Sequence, residues 1–499
     1  MKQSVDKKLG NILQAVVSLP VEFNVTINDL TLDSRSVQPG NLFIAVNGEK
    51  YNAADYIDDA IQAGAAAVIW EAAIDDVIPF AWSTGDKRIP VIAITSLKNK
   101  ISKIAQSFYN NPSEKLDIVA VTGTNGKTSC VNFIAQALQG KVMCGLIGTL
   151  GLGIYPDISV GTHTTPDVVS MHKALASFVS HHAAVSAIEV SSHALAQNRI
   201  DDIKINTAIF TNLTQDHLDY HGSMQSYFEE KAKLFQLPLL ETSIINIDDS
   251  YGEKILKLTT ASNVMTYSMN PENKQAAVFA SNIQVQDNYT FFTINTEKDS
   301  FEIKTTLTGN FNISNLLAVA CYLLTHNFSA KQLVTMLQSI KPVTGRMQRI
   351  EAEGFPLAVV DYAHTPDALE KSLSALATMC SKDLTCVFGC GGERDVDKRQ
   401  LMGRVAEHYA DRIFLTNDNP RSEAADEIIS NILSGIQDKS KVVVELDREK
   451  AIKNAINSTH RDGCVLIAGK GHENYQLFDG KKNYFSDVDV VKSHMSLQE

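Results

Sequence analysis

The run Asp117-Ile118-Val119-Ala120-Val121, followed after Thr122 by Gly123-Thr124-Asn125-Gly126-Lys127-Thr128, limits the fold more than any other feature. Its consecutive apolar residues lack polar alternation, the mark of a parallel strand buried on both faces. Parallel strands need crossover connections, so an α/β architecture with helices covering the sheet is predicted. A strand, a glycine-rich turn and a helix in that order form a phosphate-binding loop. Gly123 and Gly126 let backbone N–H groups turn toward phosphate oxygens, and the following helix points its positive end there. Thr124, Asn125 and Ser129 complete this phosphate cradle, Lys127 reaches the β/γ-phosphates, and the Thr128 hydroxyl faces Mg²⁺. Val121 stands where the first glycine of G-x-x-x-x-G-K would fall, which disfavours a motor or a GTPase.

Three segments follow from the pattern of apolar runs. In the first, runs at 42–46 and 66–70 flank a helical pattern at 55–64, a small α/β unit. A mixed-charge helix at 98–109 then stops at Asn110-Asn111-Pro112. The second segment adds to the loop strand further buried strands at 187–190, 207–211 and 243–247, with helices between them. Residues 279–303 alternate more openly, as antiparallel strands at a sheet edge do. Helices near 312–324 and 330–339 lead to Lys341-Pro342. Beyond it, strands at 357–361, 384–388, 412–416, 442–444 and 464–468 alternate with helices. The expectation is an α/β protein of three domains. They are a small N-terminal α/β domain (1–95), a central P-loop domain with a mostly parallel sheet (96–340) and a C-terminal Rossmann-like domain (341–499). Gly389-Cys390-Gly391-Gly392 matches a dinucleotide fingerprint poorly, because Arg394 takes its last position.

Composition excludes several classes. A chain of 499 residues that is 44% apolar can bury more than one core. A net charge of -12 disfavours a nucleic-acid backbone as partner, so anionic ligands must be held by local basic groups and helix N-termini. No run reaches the ~18–20 apolar residues of a membrane span. The apolar stretch near the N-terminus is broken by Asn11, Gln14 and Ser18, without a cleavage pattern. Seven scattered cysteines form no C-x-x-C pair, so neither a zinc site nor a disulfide framework is expected. A cytoplasmic protein without membrane insertion or a nucleic-acid partner is the result.

Other motifs are more specific. Leu32-Asp33-Ser34-Arg35 precedes Pro39-Gly40-Asn41-Leu42-Phe43; Thr164-Thr165-Pro166, Glu189-Val190-Ser191-Ser192-His193, Gln197 with Arg199, and His217-Leu218-Asp219-Tyr220-His221 follow. Asp361-Tyr362-Ala363-His364, Gly391-Gly392-Glu393-Arg394-Asp395, Asp418-Asn419-Pro420-Arg421 and Gly469-Lys470-Gly471-His472-Glu473 complete the series. In this order, together with the compact loop, they resemble the Mur ligase family across almost the whole chain.

The resemblance implies an ATP-dependent, amide-forming ligase that adds meso-diaminopimelate to UDP-MurNAc-L-Ala-D-Glu through an acyl phosphate. It implies Lys127, Lys231 and His217 as catalytic residues, and Thr128, Glu189, His217 and Lys231 as Mg²⁺ ligands, with Lys231 carbamylated to N6-carboxylysine. A plain lysine cannot ligate Mg²⁺, whereas a CO₂ adduct ends in the hard oxygen donor that Mg²⁺ prefers. Asn312, Arg346, Asp361 and His364 are implied as nucleoside contacts. Leu32, Ser34 and the 49–51 turn fall to the uridine nucleotide, and Thr164, Thr165, Ser191, Gln197 and Arg199 to the sugar-peptide.

Asp418, Asn419, Pro420 and Arg421 lie at a strand's carboxyl end, where ligands bind in such sheets. Diaminopimelate differs from lysine by a distal carboxylate, which an arginine fork holds with two parallel charge-assisted bonds. Arg421 and Arg394 are assigned to that group, and Gly469 and Glu473 to the same distal end. A monomer is expected. An L-lysine-adding relative and a folylpolyglutamate synthetase-like ligase are the alternatives. A nucleotide-regulated binding protein without turnover is the rival from another class.

Overall fold

Strands and helices alternate along the chain in a computed structural model that describes residues 7–48, 52–72, 80–83, 88–161, 163–286 and 289–496. The chain divides into two compact units, residues 1–119 with 140–206, and residues 120–139 with 207–499.

The first unit contains a five-stranded sheet in the order Asp29–Thr31, Asn41–Ala45, Ala67–Ala72, Pro90–Thr95, Phe80–Trp82. All neighbours are parallel except the last pair. Alternate residues of its strands pack on opposite faces, as the two-residue period of a strand requires. Leu42, Ile44, Ile69, Ile92 and Ile94 meet Leu9, Leu13, Ile104 and Phe108, while Phe43 and Val68 meet Ala60. The helix Ile101–Phe108 buries Ile101, Ile104, Ala105 and Phe108, one stripe at helical spacing. It starts later than its sequence pattern because Leu97–Asn99 closes a 3₁₀ turn first. Val185–Glu189 pairs parallel with Cys144–Gly148, and the antiparallel strands Gly151–Ile154 and Asp157–Ser159 extend that run.

The strand Asp117–Thr122 carries the chain toward the second unit, buried from Ile118 onward. There Thr207–Phe210, Thr242–Asn246, Asn263–Ser268 and Val278–Gln286 run parallel in that order. Tyr289–Thr296 and Ser300–Thr305 add the expected antiparallel edge. A second sheet in this unit is ordered Gln348–Ile350, Leu357–Asp361, Cys464–Ala468, Leu384–Phe388, Arg412–Leu415, Val442–Val444, all parallel but the first pair. Helices Pro366–Ala377 and Asp397–Tyr409 cover one face through Leu369, Leu373, Met402 and Ala406. Helix Arg448–Ser458 covers the other through Ala451, Ile452, Ala455 and Ile456.

One expectation is corrected. Cys380 and Cys464 are joined by a disulfide across 84 positions, so no local spacing announces it. The sheet brings the first residue of Cys464–Ala468 against the segment that follows helix Pro366–Ala377. Among the described residues, no helix is long and apolar enough to cross a membrane.

Candidate active site

The phosphate loop is held from both sides by the second unit. Gly126 adopts φ 88° and ends the loop at helix Lys127–Leu138, whose first turn has no side-chain cap. A Cβ there would lie 2.6 Å from Asn315 Oδ1, and one at Gly123 1.9 Å from Thr211 Oγ1. Larger residues are therefore excluded from the turn. Thr124 N–H donates to the Asn212 carbonyl (2.9 Å), Asn125 N–H to Asn212 Oδ1 (2.9 Å), and the Thr211 hydroxyl to the Asn125 carbonyl (2.6 Å). The Asn125 amide also donates to Asp367 Oδ2 (2.9 Å).

Two lysines converge on this loop. Lys127 Nζ donates to the carbonyls of Gly123 (2.8 Å) and Thr124 (2.9 Å), and Lys231 Nζ donates to the same Gly123 carbonyl (2.9 Å). Lys231 is buried, and its nitrogen lies 4.7 Å from the centre of the Tyr227 ring. Burial first, and then the charge of Lys127, push the Lys231 pKa well below the ordinary lysine value. Tyr227 in turn shares a hydrogen bond with the Thr124 hydroxyl (3.1 Å). Arg346 stacks 4.3 Å over the Tyr362 ring and donates to Thr128 Oγ1 (3.0 Å), which places it beside the first turn of helix Lys127–Leu138.

The remaining expected nucleotide residues separate into two groups. His364 and His217 both approach buried Asp216, at 3.6 and 3.4 Å, and Lys398 reaches its other oxygen at 3.6 Å. Burial pushes the Asp216 carboxyl up, but the His364 hydrogen bond and the charges of His217 and Lys398 hold it well below the usual carboxylate range. Asp361 and Asn312 are spent on the scaffold. Asp361 accepts from Met347 N–H (2.9 Å) and Ser372 O–H (2.7 Å), and the Asn312 amide donates to the Thr308 carbonyl (2.8 Å). Asn315, absent from the sequence-based set, is the residue of that helix that faces Gly126.

Within the first unit, one network gathers the residues expected to hold the sugar-peptide. Glu189 accepts from Thr149 N–H (2.8 Å) and Thr149 O–H (3.0 Å), and Thr149 Oγ1 meets Thr164 Oγ1 at 3.0 Å. Thr165 O–H donates to the Glu189 carbonyl (2.7 Å), and Ser191 N–H to Thr165 Oγ1 (3.1 Å). Arg199 donates to the Thr165 carbonyl (2.7 Å) and to Gln197 Oε1 (2.6 Å). Thr149 had no motif to reveal it. Leu32 packs on the core of the five-stranded sheet, and Ser34 opens a 3₁₀ turn capped by Asp33. The 49–51 turn lies outside the described residues.

The loops expected to bind an amino acid meet in the second unit. Arg421 and Arg394 both flank Gly391: a Cβ there would lie 3.0 Å from Arg421 Nη1 and 3.8 Å from Arg394 Cγ. Arg421, at φ 57°, donates to the Gly392 carbonyl (2.5 Å). Arg394 is half-exposed, 3.8 Å from Asp219. Glu473 Oε2 accepts from Asn419 (2.9 Å) and from buried Lys470 (2.9 Å), a partner the sequence reading passed over. Gly469, at φ 113°, leaves room for Asp418: a Cβ would lie 2.5 Å from its Oδ2. Pro420 precedes Arg421 in the same turn, and its carbonyl backs Gly392.

Among the described residues, no three His, Cys, Asp or Glu side chains cluster as metal ligands. Mg²⁺ keeps several waters and takes one or two carboxylates plus substrate phosphates. Within the second unit the donor chemistry is the Thr128 hydroxyl, the His217 imidazole and a buried Lys231 amine with one carbonyl partner; the Glu189 carboxylate belongs to the first unit.

Comparison with known proteins gives three family matches. Residues 26–109 match the Mur ligase family, catalytic domain; residues 121–323 the Mur ligase middle domain; and residues 345–471 the Mur ligase, glutamate ligase domain. A UDP-N-acetylmuramoyl-L-alanyl-D-glutamate--2,6-diaminopimelate ligase from Coxiella burnetii is 43% identical over 477 residues, covering 94% of this chain and 96% of the relative. One of the same name from Pseudomonas aeruginosa is 42% identical over 480 residues, covering 96% and 97%. A solved structure of that name aligns with a TM-score of 0.66 at 33% identity, covering 94% and 95%. A Mycobacterium tuberculosis folylpolyglutamate synthase aligns with a TM-score of 0.63 at 16% identity over 74% of this chain and 92% of its own, a likeness of fold alone.

Proposed function

Because this chain belongs to the Mur ligase family, we propose that it is the ATP-dependent ligase that joins meso-diaminopimelate to UDP-MurNAc-L-Ala-D-Glu in cytoplasmic peptidoglycan precursor synthesis. The observation that carries this reading is 43% identity, over 94% of the chain, to a protein whose name states that substrate pair. The proposed domains are 1–95 for the uridine nucleotide, 96–340 for ATP and 341–499 for the amino acid, in a monomer.

A carboxylate is a poor acyl donor until its oxygen belongs to a good leaving group, so the reaction needs ATP. The γ-phosphoryl group passes to the D-glutamate side-chain carboxylate and ADP departs. An amine of diaminopimelate then attacks the acyl carbon, loses a proton and expels phosphate. Two anions must approach in the first step, and cations fixed beforehand lower that barrier most. Lys127 is one such cation, and the N–H groups at the start of helix Lys127–Leu138 would face the phosphates. Arg346, beside Thr128, reaches the same end. His364 is left to the nucleoside side, with Asp361 and Asn312 shaping that pocket through Met347, Ser372 and Thr308.

Thr128, Glu189, His217 and Lys231 are the residues that would hold Mg²⁺, Lys231 through a carbamate. When bound, Mg²⁺ would supply positive charge that offsets the developing phosphoryl charge. Only a neutral amine adds CO₂, releasing a proton as the carbamate forms, and burial drives Lys231 toward that neutral form. Leu32 and Ser34 would contact the uridine nucleotide, and the network of Thr164, Thr165, Ser191, Gln197 and Arg199 the sugar-peptide. Arg394, Asp418, Asn419, Pro420, Arg421, Gly469 and Glu473 would hold diaminopimelate.

The test is phosphate release from ATP with UDP-MurNAc-L-Ala-D-Glu and a panel of amino acids. Release that requires both the nucleotide dipeptide and diaminopimelate is expected. Release driven equally by L-lysine, or by a folate with glutamate, would overturn the assignment.

A further inference from the structure

Among the described residues, Arg399 and Arg448 head the largest fully buried side chains. The guanidinium of Arg448, at the start of helix Arg448–Ser458, makes a bidentate pair with buried Asp487: Nε to Oδ1 at 2.7 Å and Nη2 to Oδ2 at 2.8 Å. Its remaining bonds leave the pair. Nη2 donates to the Ala468 carbonyl (2.9 Å) and Nη1 to the Asn417 carbonyl (3.4 Å).

Those two carbonyls occupy particular places. Ala468 ends the strand Cys464–Ala468 and is followed by Gly469, Lys470 and Glu473; Asn417 follows the strand Arg412–Leu415 and precedes Asp418 and Arg421. The two strands are not neighbours, because Leu384–Phe388 runs between them. No ladder hydrogen bond can therefore set one loop against the other. Arg448 spans the gap beneath both loops, and Gln476 adds donations to the carbonyls of Asn417 (3.3 Å) and Asp418 (3.1 Å). The loops then close above through Asn419, Lys470 and Glu473.

Stability alone does not account for such a pair. A buried ion pair is often no more stabilising than apolar side chains of similar volume, because desolvation offsets the attraction. What apolar side chains cannot supply is two N–H groups aimed at two carbonyls. We infer that Arg448, held by Asp487, is a positioning residue that sets the spacing between the 417–421 and 469–473 loops and so tunes recognition of the incoming amino acid. The inference rests on the reading of this cleft as the diaminopimelate site.

Two variants of the full chain test it, assayed with ATP, Mg²⁺ and UDP-MurNAc-L-Ala-D-Glu while diaminopimelate is varied. Arg448→Met/Asp487→Leu replaces the pair with apolar volume, and Arg448→Lys keeps the charge but loses the fork. Misplacement on the order of 1 Å costs up to about a hundredfold, so KM for diaminopimelate should rise at least about tenfold in the double variant. KM for ATP and for the nucleotide dipeptide should stay within about twofold, since a change confined to these two loops removes binding of the amino acid alone. Arg448→Lys should fall between parent and double variant, and it carries the test alone if the double variant does not melt cooperatively. An unchanged KM for diaminopimelate in a folded variant, or an equal rise in all three constants, would overturn the inference. Arg421→Ala, measured in parallel, separates the two claims. If it leaves KM for diaminopimelate unchanged, the cleft assignment falls and the inference with it. If it raises KM while the Arg448 variants do not, only the positioning role falls.

Discussion

Replacing Lys231 with methionine separates a structural lysine from a chemical one. The side chain is buried, and its nitrogen holds one hydrogen bond, to the Gly123 carbonyl at 2.9 Å. Losing a hydrogen bond from a charged donor costs roughly 1.5–3 kcal/mol. Two features offset that loss. The Gly123 carbonyl keeps Lys127 as donor at 2.8 Å, so it is not orphaned. The folded protein also no longer desolvates an amine, a penalty of several kcal/mol when the group is charged. Methionine fills nearly the same volume, so the net change in stability should stay within about 2 kcal/mol. Turnover should behave differently. If the lysine carries the carboxylate that holds Mg²⁺, its loss should slow phosphate release at least about a hundredfold, near 2.7 kcal/mol of barrier. Urea unfolding and coupled phosphate release read the two quantities. Lys231→Ala should regain part of its activity with a short carboxylic acid in the buffer, which refills the ligand position. A methionine variant with normal turnover would refute the reasoning. So would one that unfolds at far lower urea with proportionate loss of activity.

The remaining predictions concern both units. Lys127→Ala should lower turnover at least about a hundredfold, because developing phosphate charge loses its nearest cation; near-normal ligation would move the ATP site elsewhere. Burial holds the His172 pKa at about 4, against 6.5 for the free side chain, with Ser102 its neighbour at 3.2 Å. Because the unfolded chain binds that proton first, its contribution is complete above the unfolded value and is lost as pH falls, by roughly 3 kcal/mol at most. Trp70 and Trp82, the only tryptophans, both lie in the same unit as His172, so urea midpoints read by their fluorescence at pH 7.5 and 4.5 follow it. His172→Leu should reduce the acid-side loss, and an unaltered difference would sink the assignment. Gly126→Val should abolish nucleotide binding, since its Cβ would press on Asn315 at a φ of 88°; binding measured by calorimetry at parental affinity would contradict the loop geometry.

Much of the architecture was legible because burial writes itself into composition. The strands Leu357–Asp361, Leu384–Phe388 and Cys464–Ala468 coincide with the apolar runs read from the sequence, since strands covered on both faces need no polar residue; Val442–Val444 coincides as well, although Val443 and Val444 are exposed at the sheet edge. The edge Val278–Thr305 was legible for the opposite reason: one face meets water, so polar residues alternate in. Cys144–Gly148 carries two glycines, which dilute the signal, although it too is buried along its length. At the site, the glycines and cations of the motifs could be named from the sequence, whereas the partners that the fold brings to them could not. Asn312 and Asn315 share one helix, and only tertiary packing decides that Asn315 turns toward Gly126. Lys470 stands in a quoted motif, but only the fold buries it against Glu473 and Asn419. The Cys380–Cys464 disulfide is a long-range contact without a local pattern.

The most direct test of the central claim is the ratio of kcat/KM for meso-diaminopimelate and L-lysine, in the wild type and in Arg421→Ala. Lysine lacks the distal carboxylate, so binding it leaves Arg421 and Arg394 without the anion they are proposed to share. Sites built to hydrogen-bond a group reject analogues lacking it by roughly 10⁴-fold. The wild type should therefore favour diaminopimelate by about that factor, and Arg421→Ala should narrow the preference mainly by weakening diaminopimelate use. Equal use of both amino acids by the wild type, or a ratio unmoved by Arg421→Ala, would contradict the account.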